Sequence, residues 1–185
     1  MARQSRTPMV ILGLLCIEPM SGYDLKATID RSISQFWNES YGQLYPALKK
    51  LTDDGMVSKD ETRTGGRQRN VYTITDSGRQ HLRAWLTEPA ARRYVRNELL
   101  LKLFFSLETV PAVVRGHLQR ERAVAEGTVA GINAAIAELK ATSADAPELP
   151  YWLMTLDLGR RTALAQAEWA KHSLQLMDDS ETTRS

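Results

Sequence analysis

Between Met56 and Thr75 the apolar spacing switches from the 3.6-residue period of a helix to the two-residue period of a strand, and it returns to helical spacing at Leu82 and Trp85. Three short helical patterns precede the switch. In the first, Thr7 followed by Pro8 reads as an N-cap with proline opening the helix, and Val10, Ile11, Leu14, Leu15 and Ile17 supply a wide apolar face up to Pro19. In the second, Ser21 and Asp24 form a capping box for a helix running to about Ile33. A polar-aromatic link with Phe36 and Trp37 leads to another box, Ser40 and Gln43, and a third helix ending near Gly55. Its Leu44, Leu48 and Leu51 recur at i, i+4, i+7 and mark the core side, which turns Gln43, Pro46, Lys49 and Lys50 elsewhere. Pro46 lacks an amide proton, so the first turn is expected to be distorted or to begin later than Ser40.

The strand pattern is a hairpin. Gly65 and Gly66 mark its turn, Asn70 to Thr75 alternates through Tyr72 and Ile74, and the tip carries Arg63, Arg67 and Arg69. Thr75 or Asp76 then caps a fourth helix that stops before Pro89. This order is that of a winged helix-turn-helix, placed at residues 1–88. Residues 89–185 show no strand pattern and are read as a second, helical domain. There Val95 to Leu107 is apolar-rich, Pro111 to Lys140 is a long Ala-rich helix, and Leu149 to Met177 is another, beyond Pro147. Val114, Leu118, Ala125, Ile132 and Leu139 form an imperfect seam interrupted at Glu121 and Thr128, and Asp178 to Ser185 is a polar, fraying end. The expected fold class is mainly α with one small β-hairpin.

Charge narrows the function classes. The formal balance is +2, too small for a polycation, but residues 1–85 hold twelve Lys and Arg against nine Asp and Glu, and the rest hold twelve against thirteen. A nucleic-acid reading therefore rests on local charge in the first domain. Cys16 is the only cysteine, which excludes an internal disulfide and a thiolate metal site and makes an inert core thiol the default. Arg3 and Arg6 before the nine-residue apolar run Met9 to Ile17 imitate a secretory signal, but no small-residue cleavage site follows and Glu18, Pro19 and Asp24 come at once. That run is also short of the ~20 residues a bilayer requires. His81, His117 and His172 are scattered, and no phosphate-cradling glycine loop or nucleophile motif is present, so neither an enzyme, a metal nor a cofactor is expected.

SGYDL, FWNESYGQLYPALKKL and DGMVSKDETRTGGRQRNVYTITDSGRQHL together resemble the PadR family of bacterial transcriptional regulators over roughly Thr7 to Leu86. The helical tail resembles the virulence-activator-type C-terminal domain of longer members. The resemblance implies a cytoplasmic homodimer joined by its C-terminal helices, with the third helix in the major groove of a palindromic operator and the wing toward the neighbouring minor groove. It also implies that some members respond to phenolic acids or drug-like compounds. The wing departs from relatives in carrying GGRQRN where prolines are common, and Asp60 and Glu61 limit how much of the hairpin lies along phosphate.

Sequence-specific binding needs cations for phosphates and short polar groups for base edges. The third helix offers both. Ser40, Gln43 and Tyr45 are the candidates to approach bases or adjacent phosphates, with Pro46 on the same face and Lys49 and Lys50 on the backbone; the wing adds Arg63, Gly66, Arg67 and Arg69. The plainer alternative has Ser40 and Gln43 only capping and Tyr45 only packing. Phe104, Phe105, Trp152, Met154 and Trp169 are the candidates for a small aromatic effector pocket, against core or dimer interface as the plainer reading. Trp37 and Trp85 are expected near the joint between the two domains, where packing is as good a reading as a place beside such a pocket. The expectation is a DNA-binding repressor; the competing class is a winged-helix adaptor that binds protein and no DNA.

Overall fold

The computed structural model describes residues 5–34, 36–64, 67–91 and 96–184, with the backbone alone at 61–64, 67–69 and 181–184. It divides into two compact units, residues 1–92 and 93–185.

The first unit is built on α1 (Thr7–Ile17), β1 (Met20–Ser21), α2 (Gly22–Ser32), α3 (Tyr41–Asp53), β2 (Val57–Thr64), β3 (Arg67–Ile74) and α4 (Asp76–Leu86). Helix α1 packs on α3 and α4, and Ile11, Leu12, Leu15, Leu25, Ile29, Leu44 and Leu48 are almost fully buried around it. The three-stranded antiparallel sheet has the order β1-β3-β2, with Met20 opposite Tyr72 and Val57 opposite Ile74. Tyr72 and Ile74 face the core in alternation, as the two-residue period requires. Strand β1 was not anticipated: two residues carry no period, and they become a strand only by pairing with β3.

The C-terminus of α3 is closed by a Schellman motif. The Met56 amide donates to the Leu51 carbonyl (2.9 Å) and the Gly55 amide to that of Thr52 (3.0 Å), with Gly55 at φ 69°. A left-handed residue here strongly favours glycine.

Three boundary expectations are corrected. Arg6, not Thr7, is the N-cap of α1: its carbonyl accepts the amides of Met9 (2.9 Å) and Val10 (3.2 Å). The Thr7 hydroxyl is drawn instead to the Glu39 carboxylate, to which it donates at 2.9 Å. Second, α3 begins at Tyr41 despite Pro46 inside it. The carbonyl deprived of a partner is that of Gly42, on an exposed turn where water can take its place, while Leu44 and Leu48 hold the opposite face in the core. Third, the last helix continues through Arg184 rather than fraying from Asp178.

The second unit contains α5 (Glu98–Phe104), a 3₁₀ turn (Ser106–Glu108), α6 (Pro111–Thr142) and α7 (Leu149–Arg184). Helices α6 and α7 pack against each other, and the Arg115–Asp178 ion pair (2.6 Å) joins the start of one to the end of the other, so they run antiparallel. Leu118, Ala125 and Ile132 on α6 and Leu156, Ala163 and Ala170 on α7 are buried, each set spaced by seven. This is a coiled-coil seam with small residues on the α7 side. Val114 and Leu139 are half-buried at its margins, and Thr128 is exposed. Beside Asp157, the Arg161 and Arg160 guanidiniums hold the carboxyl below its usual range. No helix among the described residues is long and apolar enough to cross a membrane.

Candidate nucleic-acid interface

Helix α3 presents one face to the core and leaves Tyr41, Gly42, Gln43, Tyr45, Pro46, Lys49 and Lys50 exposed. Its N-terminus is tied down at two levels. Ser40 is the N-cap, and both its amide (3.1 Å) and its hydroxyl (3.0 Å) donate to Gln43 Oε1. One residue earlier, Glu39 is 4% exposed, and its Oε1 accepts from the Thr7 hydroxyl and from Trp37 Nε1 at 2.7 Å. A buried carboxylate requires such donors. Here they come from α1 and from the α2–α3 link, so the chain enters the third helix along a fixed path. Trp37 accordingly packs within this unit. Trp85 also packs there, against the core, with the Arg6 guanidinium 5.8 Å from its ring centroid.

Tyr41 and Tyr45, one turn apart, stack with ring centroids 6.1 Å apart and planes 18° from parallel. Lys26, ion-paired to Asp30 on α2, lies 5.8 Å over the Tyr41 ring. Gly22 opens α2 directly beneath Tyr45: a Cβ there would lie 2.8 Å from Tyr45 Cε1. The tyrosine is thus seated against α2 while about half exposed, which joins the packing and surface readings of that residue. Tyr41, Lys26 and Gly22 were missed from the sequence, because their proximity depends on how α2 and α3 cross.

The lysines are already paired. Lys49 Nζ is 2.6 Å from Asp53 and Lys50 Nζ is 3.3 Å from Asp54, both i,i+4 and solvent-exposed. Such pairs contribute only ~0.3–0.5 kcal/mol, so a phosphate can displace the aspartates.

In the wing, Arg63 pairs with Gln68, Arg69 with Thr62 and Arg67 with Thr64. Strand alternation assigns Arg67 and Arg69 to one face of the ribbon and Arg63 to the other. Gly66 lies outside the described residues, as does Gly65.

Of the aromatic candidates of the second unit, Phe105 lines a groove. This groove of about 410 Å³ between α5 and the start of α6 is lined by Leu101, Leu103, Phe105, Val113, Val114 and His117 among others, and it includes none of Phe104, Trp152, Met154 or Trp169. Phe104 meets Phe105 edge-on at 5.1 Å but is otherwise open to solvent. Trp152 and Trp169 are seventeen residues apart on α7, about 25 Å along the axis at ~1.5 Å per residue. Among the described residues no group of three or more His, Cys, Asp or Glu is placed to hold a metal ion.

Comparison with known proteins matches residues 11–84 to the transcriptional regulator PadR-like family and residues 95–178 to the virulence activator alpha C-terminal family. The chain is 32% identical over 151 residues to the negative transcriptional regulator PadR of Bacillus subtilis, covering 78% of this chain and 82% of that protein. It is similar to the crystal structure of Bacillus subtilis PadR in complex with operator DNA, with a TM-score of 0.82 at 26% identity over 94% of this chain and 99% of that one. The same regulator in complex with p-coumaric acid gives a TM-score of 0.77 at 26% identity, covering 96% and 99%.

Proposed function

Since the chain belongs to the PadR-like family of transcriptional regulators, we propose that it is a homodimeric repressor that reads a palindromic operator with α3 in the major groove and the basic wing near the minor groove. The observation that carries this reading is the exposed polar face of α3, anchored at its N-terminus by Glu39 and Ser40, in a chain similar over almost its whole length to a regulator solved on operator DNA. Residues 1–88 form the reading domain. Ser40, Gln43 and Tyr45 approach bases or adjacent phosphates, with Pro46 on the same face; Lys49, Lys50, Arg63, Arg67 and Arg69 meet phosphates, and Gly66 is a further candidate contact of the wing.

Residues 89–185 join the subunits. Leu100, Leu101, Phe104, Leu107, Val110 and Leu158 are all more than half exposed in the single chain, apolar side chains that a second copy would cover. Two reading heads on one duplex must sit about 34 Å apart, so a ligand that changed this packing would move them out of register. A small aromatic effector is supported by the p-coumaric acid complex of the Bacillus subtilis regulator, and in this chain Phe105, Phe104, Trp152, Met154 and Trp169 are its candidate contacts. The protein acts in the cytoplasm, where the DNA is, and catalyses no reaction.

A gel-shift titration on the DNA upstream of its own gene, with and without a panel of phenolic acids, tests this reading. The expected result is a shift at nanomolar protein that one of the acids reverses. A chain that never shifts this DNA, even in dilute buffer, would be a protein-binding adaptor instead.

The paired lysines yield a separate expectation. Asp53→Asn combined with Asp54→Asn frees Lys49 and Lys50 for phosphate and should tighten DNA binding by roughly 3- to 10-fold at low salt, with the gain shrinking as salt rises. Affinity measured by fluorescence anisotropy over a salt series checks it.

A further inference from the structure

The N-terminal cap of α3 constrains what Gln43 can read. A side-chain amide presents one oxygen with two acceptor sites and one nitrogen with two donor hydrogens. Here both acceptor sites are taken within the protein, one by the Ser40 amide at 3.1 Å and one by the Ser40 hydroxyl at 3.0 Å. A backbone amide can only donate, so the orientation of the Gln43 amide is set by the chain itself: oxygen toward the cap, nitrogen outward. Gln43 is exposed, and its Nε2 has no partner among the described residues.

Glutamine ordinarily recognises adenine in the major groove with both ends of its amide, donating to N7 and accepting from the N6 amino group. The cap removes the accepting half. What remains is a donor pair, and guanine alone among the four bases offers two adjacent acceptors, O6 and N7, on one base edge. We infer that Gln43 is a specificity-determining residue that selects guanine over adenine, because Ser40 consumes the oxygen that adenine recognition requires. This rests on the reading that α3 enters the major groove.

The test uses the full chain and a duplex recovered from a randomised pool by its binding to that chain. Each dG of a half-site is replaced in turn by dA and by 7-deaza-dG, which lacks only the N7 acceptor, and affinities are measured for the wild type, Gln43→Ala and Gln43→Glu. Glutamate keeps an acceptor for Ser40 and has no donor, so the cap and the fold survive in that variant. At one dG per half-site the wild type should lose about 5- to 100-fold with dA and several-fold with 7-deaza-dG. Both penalties should vanish in the two variants. Because the readout is a ratio between duplexes, a uniform loss of affinity from the glutamate charge leaves it unmoved. The inference is overturned, with DNA binding intact, if the wild type prefers dA at the Gln43-dependent position or if no position loses its discrimination in the variants. Failure of the wild type to enrich any duplex overturns the proposed function and this inference with it.

Discussion

Changing Arg63, Arg67 and Arg69 together to alanine should lower DNA affinity on the order of 10³-fold at low salt and flatten the salt dependence more than any other surface change in the molecule. The lysines of α3 each carry an aspartate one turn away, so that helix brings little net charge to the duplex. The excess of cations in the first half of the chain is concentrated at the hairpin tip. If each arginine meets one phosphate, a dimer loses about six contacts, and the slope of log affinity against log salt becomes shallower by roughly 5. Arg67→Ala alone should flatten it by about 2. Strand alternation places Arg63 on the opposite face from the other two, so Arg63→Ala should have the smallest single effect if only one face of the ribbon meets the backbone. A slope unchanged in the triple variant would remove the wing from the interface.

Gly78→Ala should be the most destabilising single-methyl addition in the first unit. Gly78 lies in the first turn of α4, where its amide donates to the Thr75 hydroxyl at 3.2 Å. A Cβ there would fall 2.2 Å from the Met56 carbonyl oxygen, 2.9 Å from Ile74 Cγ1 and 3.1 Å from Leu12 Cδ2. The first of these cannot swing aside: it is backbone, held by the Thr75 amide at 3.1 Å. Relief requires α4 to lift from the end of the sheet, at a cost of roughly 3 kcal/mol or more. For a unit of this size that is a large part of the total stability, worth a fall in midpoint of more than about 12 °C. Thermal unfolding followed by circular dichroism measures it; a midpoint within a few degrees of the wild type would mean that the contact relaxes at little cost.

Much of the first unit was legible because its signals are local. The capping pairs Ser21–Asp24 and Ser40–Gln43, the Leu44, Leu48, Leu51 stripe and the alternation through Tyr72 and Ile74 each involve neighbours within a turn or a strand, and the structure keeps all of them. The features missed depend on residues far apart in the chain. Glu39 reads as one more surface carboxylate until α1 brings Thr7 to it across 32 positions. Tyr45 divides between packing and exposure because Gly22 lies beneath it, and β1 exists only by pairing with β3. On α7, Leu156, Ala163 and Ala170 continue a seven-residue spacing that alanine conceals, since its side chain is a weak marker of burial on its own. The aromatic candidates of the second unit were grouped by chemistry, which carries no information on distance; Trp152 and Trp169 stand about 25 Å apart along α7 at ~1.5 Å per residue. For the candidate site, the residue types on α3 were legible, but the state of each was not. That the lysines are paired and that the Gln43 oxygen is occupied appear only in the structure.

Whether two copies of this chain hold one duplex with two identical reading heads is decided by sedimentation equilibrium of the full chain mixed with a labelled duplex it has been selected to bind. The expected complex has the mass of the duplex plus two chains of 20.8 kDa, forms at submicromolar protein and is dispersed by salt. A saturated complex holding one chain per duplex, or a duplex that sediments free at every protein concentration, would contradict that expectation.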